Sequence, residues 1–289
     1  MSGVVWFGDN LEVLRSMPAE SVDLVYIDPP FNTGKVQARD VLRTVRDPLG
    51  DRNGFGGARY RTEKVGRASY TDVFGDYLGF LEPRLEEARR VLRATGSLYF
   101  HIDYREVHYC KVLLDRIFGR EQFINEIIWA YDYGARTRSR WPPKHDNILF
   151  YAKDREQYVF NVDDIDRIPY MAPGLVGPEK AARGKLPTDT WWHTIVSPTG
   201  KEKLGYPTQK PLGILTRIVL ASSPANGTVL DFFAGSGTTG EAALQAGRSF
   251  VLVDDNPEAL SVMRRRFAGR QGVKFEVACR DATAGEGLT

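Results

Sequence analysis

Asp28-Pro29-Pro30-Phe31 puts a carboxylate, two prolines and a flat ring within four residues. Proline fixes its own φ and has no N–H to donate. The Pro29 carbonyl and the Asp28 carboxylate can therefore be held as two acceptors facing one donor group, with Phe31 offering an apolar face beside them. A planar ligand with an exocyclic amine suits this arrangement. Its two amine hydrogens meet the two acceptors, and its ring stacks on Phe31. The plain alternative is a rigid strand-to-loop turn with Phe31 in the core.

A second constellation lies 200 residues further on. Val229-Leu230-Asp231-Phe232-Phe233-Ala234-Gly235-Ser236-Gly237-Thr238-Thr239-Gly240 reads as a strand, a glycine turn and a helix start. Glycines allow close backbone approach and unusual dihedrals, and a helix N-terminus presents free N–H groups. Gly235, Gly237 and Gly240 fit G-x-G-x-x-G, a weak signal compatible with NAD, FAD or S-adenosylmethionine, or with a turn that only packs helix on strand. Asp231 tilts the choice. A carboxylate here attracts the ammonium of a methionine moiety and repels a dinucleotide's pyrophosphate. Asp254, seventeen residues past Gly237, ends another apolar run and suits ribose hydroxyls.

Positioning such residues takes strands and helices in alternation. Strands are expected at Val4–Phe7, Val22–Ile27, Ser97–Ile102, Glu126–Tyr131, Asn147–Tyr151, Thr228–Phe233, Phe250–Asp254 and Val273–Val277. Helices are expected at Tyr77–Arg93, Tyr104–Phe118, Leu212–Ser222, Thr238–Ala246 and Pro257–Phe267. The near-continuous apolar strands indicate an α/β fold, its mostly parallel sheet covered by helices on both faces. Residues 155–205, rich in Pro, Gly and Asp, break the rhythm and read as a small irregular insertion. Residues 35–67 read as a loop, because Pro48-Leu49-Gly50, Asn53-Gly54 and Gly56-Gly57 are turn signals.

The 289 residues are 42% apolar and 26% charged, which excludes disorder as the dominant state. No apolar run is long enough to span a membrane, and the first residues lack the pattern of a signal peptide. Two cysteines, Cys110 and Cys279, give no disulfide framework, and the four histidines have no metal-ligand spacing. A reducing cytoplasm is the expected location. The formal charge of +2 at first argues against a nucleic-acid partner. Its distribution argues otherwise. Residues 1–34 carry one basic residue against five acidic, whereas residues 35–67 carry nine against four. A second basic cluster, Arg136, Arg138, Arg140 and Lys144, has no acid between Gly134 and His145.

Together these motifs resemble the amino-methylating DNA methyltransferases, which act on adenine N6 or cytosine N4. Asp28–Phe31 is similar to their catalytic motif, Asp231–Thr239 to their cofactor motif, and Tyr206-Pro207-Thr208-Gln209-Lys210-Pro211 to the segment leading into it. The catalytic motif comes first, the circularly permuted order of the β group. The resemblance covers residues 4–267 and includes Gly8-Asp9-Asn10-Leu11, Ser97–Asp103 and Lys144–Asp154. Many members have Asp-Pro-Phe where this chain has Asp231-Phe232-Phe233, a departure confined to local loop geometry.

The resemblance implies a Rossmann-like, S-adenosylmethionine-dependent methyltransferase fold. Residues 1–154 would form its catalytic part, 155–205 a target-recognition insertion, and 206–289 the cofactor-binding part. It implies methyl transfer to the exocyclic amine of a flipped base in double-stranded DNA, with Asp28, Pro29, Pro30 and Phe31 catalytic and no metal. Asp at the first motif position favours adenine N6, and Ser there would favour cytosine N4. Asp231, Phe233, Gly235 and Gly237 are expected to line the cofactor, Asp254 to hold ribose, and Asp9 to approach the cofactor's adenine. Thr208 and Lys210 are expected at the methionine carboxylate. His101 and Asp103 end a strand beside the active-site strand and serve either packing or the site. The basic stretch 35–67 and Arg136, Arg138, Arg140 and Lys144 are expected to contact DNA, and Trp191 or Trp192 to fill the space left by the base or to pack in the insertion's core. A homodimer and a separate restriction endonuclease fit the family. The rival readings are a dinucleotide-dependent oxidoreductase, a non-catalytic DNA-binding subunit, and an RNA or protein methyltransferase.

Overall fold

In a computed structural model, which describes residues 1–32, 35–47, 52–53, 59–72, 74–134, 136–197 and 200–278, the apolar runs form strands and the periodic stretches form helices. In chain order the elements are β1 (Gly3–Phe7), α1 (Asn10–Ser16), β2 (Val22–Ile27), β3 (Lys35–Arg46), β4 (Arg52–Asn53), β5 (Arg59–Asp72), α2 (Tyr77–Val91), β6 (Leu92–Ile102), α3 (Val107–Phe118), β7 (Phe123–Ala130) and β8 (His145–Ala152). There follow α4 (Pro178–Arg183), β9 (Thr190–Trp192), α5 (Leu212–Ser222), β10 (Thr228–Asp231), α6 (Thr238–Gln245), β11 (Ser249–Asp254), α7 (Pro257–Arg266) and β12 (Val273–Val277).

Nine strands make one sheet in the order β12-β1-β11-β10-β2-β6-β8-β7-β9. Every pairing is parallel except those that β8 makes with β6 and β7. β2 is buried along its whole length, as expected of a central parallel strand covered on both faces. Helices α1, α2 and α3 pack in series, and α5 packs on α6. Aromatic rings fill the core: Tyr99 stacks on Phe150 at 4.3 Å and Phe250 on Phe267 at 5.0 Å.

The permuted order is resolved at the middle of the sheet. β10 lies directly beside β2, with Val229 opposite Leu24 and Leu230 opposite Val25. The Asp23 carboxylate ties the two strands by accepting from Thr228 N at 2.8 Å. Two motifs distant in sequence thus leave the sheet side by side at the carboxyl ends of adjacent strands, where open α/β sheets bind ligands.

Residues 35–67 are not a loop. Lys35–Arg46 and Arg59–Asp72 form a long antiparallel pair with a bulge between Val41 and Leu42, and Arg52–Asn53 adds a third short strand. The turn signals mark the connections between these strands, most of which fall outside the described residues. The strands escape notice because β-branched residues such as Val36, Val45, Thr62 and Val65 alternate with charged ones, so no apolar run is built. Residues Asn32–Gly75 constitute a compact unit of their own, and the rest of the chain another.

The stretch 155–205 has little regular structure, as expected, but it is fastened to the sheet. β9 extends the sheet beyond β7, with Trp129 opposite Trp191. Asn161 donates to the carbonyls of Leu220 and Ser223 at the end of α5, and Asp166 accepts from Arg217 at 2.6 and 2.7 Å. β12 pairs with β1, and Cys279 and Asp281 lie outside the described residues.

Candidate active site

β2 ends at Ile27 and runs directly into Asp28. The Asp28 side chain is 15% exposed, and its Oδ2 forms an ion pair with Lys210 Nζ. Its Oδ1 is buried and has no hydrogen-bond partner among the described residues. A buried carboxylate oxygen without a donor costs on the order of 1–3 kcal/mol or more, so its presence calls for a visiting donor. The Pro30 carbonyl is occupied, accepting from Tyr77 Oη at 2.6 Å. Phe31 is half-buried, with the Lys210 ammonium 5.1 Å from its ring centroid. Asp28, Phe31 and Lys210 therefore converge.

Behind Phe31 lies a polar chain that runs from β2 across β6 and β8 and ends just past β7. The Phe31 ring sits 6.0 Å from that of His101, which is fully buried. His101 Nδ1 is 2.8 Å from Tyr26 Oη, and its Nε2 is 3.1 Å from Asp146 Oδ2. Tyr131 Oη donates to Asp146 Oδ1 at 3.3 Å, and the Trp129 ring meets the imidazole edge-on at 5.5 Å. Burial works to raise the Asp146 carboxyl. The bond from His101, its charge, Lys210 and Tyr131 outweigh burial and hold it below the usual range. An ionised Asp146 only accepts, so Nε2 carries the hydrogen. The Tyr26 phenol, pushed up by burial and then by Asp28, Asp231 and Asp146, keeps its proton and stands within hydrogen-bond distance of Nδ1. The imidazole is thus locked as a wall behind Phe31. Tyr26, Tyr131 and Asp146 were not singled out from sequence. The visible trace was Ser97, Tyr99, His101 and Asp103, a polar residue at every second position of a buried strand. Asp103 pairs with Arg105.

The glycine loop is held from several sides. Gly235 and Gly237 have φ of +50° and +72°, values that favour glycine. A Cβ on Gly235 would stand 3.0 Å from the Tyr206 ring. Asp231 accepts from Phe233 N at 3.0 Å and Thr239 Oγ1 at 2.6 Å, and Asp254 accepts from Gly235 N at 2.7 Å and Asn256 N at 2.9 Å. The variant Phe232 is buried in the core, and its carbonyl accepts from Asn10 Nδ2 at 2.7 Å. Phe233 lies between Phe232 and Phe80, at 5.2 and 6.1 Å. Asp9 caps α1 through Leu11 N and Glu12 N and pairs with Arg84, which also donates to Asn10. These are the contacts of a helix cap. Thr208 is exposed.

Donors, glycines, the buried Asp231 and the half-buried Asp254 are the right set for a ligand with an ammonium and a ribose, and the positive-φ glycines leave the backbone open to close approach. Burial pushes Asp231 up to about 7 against the bonds from Thr239 and Phe233 N, with Asp28 and Asp254 adding to the rise. Burial likewise pushes Asp254 up to about 6. Both values exceed the ordinary carboxylate value of about 3.9, so the folded chain holds protons that the unfolded chain has released. The resulting stability is full below about pH 4 and is lost as the pH rises through 6 to 7. A cationic ligand group needs Asp231 ionised, so its binding runs the opposite way. The ligand-free melting temperature should rise between pH 7.5 and 5.5, while S-adenosylhomocysteine affinity falls by up to about tenfold per pH unit below 7. Melting curves with and without ligand across that range check both slopes; a ligand-free midpoint that falls on acidification would refute the linkage.

Arg136, Arg138 and Arg140 are exposed in the connection from β7 to β8, and Lys144 donates to the Tyr133 carbonyl at 2.7 Å across it. Because β8 is antiparallel to β6, this connection leaves the sheet at the same edge as Asp28. It also carries Trp141, which is 94% exposed. The two insertion tryptophans divide. Trp191 is core, under the Arg217 guanidinium, and Trp192 is 78% exposed. Among the described residues, no three His, Cys, Asp or Glu side chains group to hold a metal ion, and no helix is long and apolar enough to cross a membrane.

Residues 22–265 match the N6/N4 methyltransferase family described as DNA methylase. The chain belongs to this DNA methylase family. The methylase is 30% identical over 256 residues to the type II methyltransferase M.HpaI of Haemophilus parainfluenzae, spanning 89% of this chain and 71% of that one. It is 30% identical over 272 residues to the DNA adenine methyltransferase YhdJ of Escherichia coli (strain K12), spanning 90% and 80%. Its fold is similar to the PvuII DNA methyltransferase (cytosine-N4-specific), with TM-score 0.63, 15% identity, and 96% and 95% of the two chains covered. It is also similar to M1.HpyAVI in its S-adenosylmethionine complex, with TM-score 0.59, 19% identity, and 92% and 99% covered. The DNA methylase is thus an S-adenosylmethionine-dependent enzyme of Rossmann-like α/β fold.

Proposed function

We propose that this DNA methylase modifies adenine N6 in double-stranded DNA, acting on a base drawn out of the stack. The observation that carries the reading is Asp28 Oδ1, a buried acceptor without a donor among the described residues, on a side chain joined to Lys210, whose ammonium also lies over the Phe31 ring. Asp28 Oδ1 accepts one amine hydrogen and the Pro29 carbonyl the other. These bonds draw the nitrogen lone pair out of conjugation with the ring. Phe31 stacks on the base, backed by His101. The proton shed by the methylated amine passes to Asp28 Oδ1, which already receives its hydrogen bond. S-adenosylmethionine, when bound, supplies the electrophilic methyl group. Asp231, Phe233, Gly235 and Gly237 hold it, Asp254 takes its ribose, and Asp9 and Thr208 border it. Rate acceleration then comes from positioning and from fixed acceptors in a water-poor site. A base inside a duplex cannot reach Asp28, which is why flipping belongs to the reading.

Adenine is favoured over cytosine N4 by Asp at the first motif position and by the kinship with YhdJ, named a DNA adenine methyltransferase. The basic residues Arg136, Arg138, Arg140 and Lys144 contact phosphates or guanine edges, and the nine basic residues within 35–67 contact the backbone. Residues 1–154 supply the catalytic part, 206–289 the cofactor part, and 155–205 target recognition. A place in a restriction-modification system is supported by relatives named type II methyltransferases, and the reading includes a separately encoded endonuclease and a homodimeric methylase.

Expression in a host without DNA methylation, followed by sequencing that reports modified bases, tests the reading. N6-methyladenine within one short recurring sequence is expected. N4-methylcytosine would replace adenine as the target, and unmodified DNA from cells making folded protein would leave a non-catalytic DNA-binding subunit.

A further inference from the structure

The sequence assigns Lys210 to the carboxylate of the cofactor's methionine. Its contacts point elsewhere. The ammonium is committed to Asp28 Oδ2, in an ion pair whose partners are 12% and 15% exposed, and it lies 5.1 Å over the Phe31 ring. One cation thus touches both chemical ends of the catalytic tetrapeptide. An ammonium is a compact charge with three donors on a flexible stem, so it holds a carboxylate in place only if its own backbone is fixed.

That backbone is fixed. The neighbouring Gln209 is buried, donating to the Glu202 carbonyl at 2.7 Å and accepting from Leu204 N at 2.9 Å. The Glu202 carboxylate accepts from Leu212 N at 2.6 Å, at the start of α5. Lys210 is therefore delivered to the end of β2 from a knitted loop. The same loop leans on the cofactor turn through Tyr206, whose ring lies against Gly235.

We propose that Lys210 is a positioning residue for Asp28. Its ammonium occupies Oδ2 and thereby turns Oδ1, the buried oxygen without a donor, toward the amine to be methylated. This rests on the reading of Asp28 as the amine's acceptor. The loop that carries Lys210 also touches the cofactor turn through Tyr206.

Lys210→Met keeps the apolar stem and removes the charge, and Lys210→Arg restores a cation. Each is compared with the wild type in two assays. The first is single-turnover methyl transfer to genomic DNA from a methylation-free bacterium at saturating S-adenosylmethionine. The second is calorimetric titration with S-adenosylhomocysteine. The rate should fall by about 100-fold in Lys210→Met, the range of a lost orienting contact, with affinity changed by less than about threefold. Lys210→Arg should recover about tenfold of that rate, which a variant that merely fails to fold would not do. Affinity weakened by about 30-fold or more, with the saturated rate intact, would return Lys210 to the methionine carboxylate and overturn the proposal. The titration does not depend on DNA. If the wild type methylates nothing, the adenine reading fails on its own, while collapsed S-adenosylhomocysteine affinity in Lys210→Met still overturns the Lys210 assignment and retained affinity still supports it.

Discussion

Asp28→Ala lowers methyl transfer by about 10³- to 10⁴-fold while leaving S-adenosylhomocysteine affinity within about threefold. The size follows from what is removed. Asp28 Oδ1 is a buried acceptor with no partner among the described residues, and a single preorganised polar group aimed at developing charge is worth about 10²–10³ in rate. Proton acceptance by a positioned base adds about 10²–10⁴, and the two overlap because they reside on one atom. The cofactor loop feels little, since Asp231 and Asp254 hold their partners through separate bonds. The variant also frees Lys210 from its ion pair. Asp28→Asn therefore makes a useful companion, because it keeps an oxygen but loses both the charge and the ability to take the proton. Turnover near the wild-type level in Asp28→Ala would refute the role assigned to this side chain.

Gly237→Val removes cofactor binding and lowers the melting temperature by roughly 6–12 °C. Gly237 precedes α6 with φ of +72° and ψ of +22°, left-handed backbone that an L residue enters at a cost of about 1–2 kcal/mol. A Cβ here would lie 2.8 Å from Met263 Cγ, 3.2 Å from Phe267 Cε2 and 3.4 Å from Leu252 Cδ1. Met263 can yield, but Phe267 stacks on Phe250 at 5.0 Å and cannot. Overpacking of this kind adds about 1–3 kcal/mol. Together they come to about 3 kcal/mol, and each kcal/mol shifts the melting point by roughly 2–4 °C for a domain of this size. Gly269→Val is the control. Its φ is +73° but nothing lies within 4 Å of its Cβ, so it meets only the backbone cost. Scanning calorimetry of the pair separates strain from crowding. Equal melting points would show that the packing behind the glycine turn does not matter.

The site's two halves were legible because each is a run of consecutive residues: Asp28–Phe31 after an apolar strand, Asp231–Gly240 between a strand and a helix. The central strands were legible for the same reason, and β2 and β12 match their expected limits. What stayed hidden depends on partners far apart in the chain. Tyr26, His101 and Asp146 come from three strands and Tyr131 from just past a fourth, and only register brings them together. Lys210 looked like a cofactor ligand because its neighbours Thr208 and Pro211 belong to that motif, whereas its partner lies 182 residues away. The strands of 35–67 were hidden for a different reason. Their charged, two-faced pattern carries no burial signal, so the turn residues between them dominated the reading.

The strand order also sets a timetable for synthesis. β1 emerges from the ribosome first, yet both of its neighbours, β11 and β12, are made last. β2 gains β6 early but keeps one side unpaired until β10 is finished, and apart from Asp23 β2 is apolar. A nascent chain that has reached β9 therefore carries two strands with open, oily edges, the template on which chains pair wrongly with one another. Only the final third of the chain closes them, and the same stretch brings in the glycine turn and Lys210. The growing polypeptide is thus most prone to aggregate over the very interval in which it cannot yet catalyse, and both conditions end together when β10 slots in beside β2.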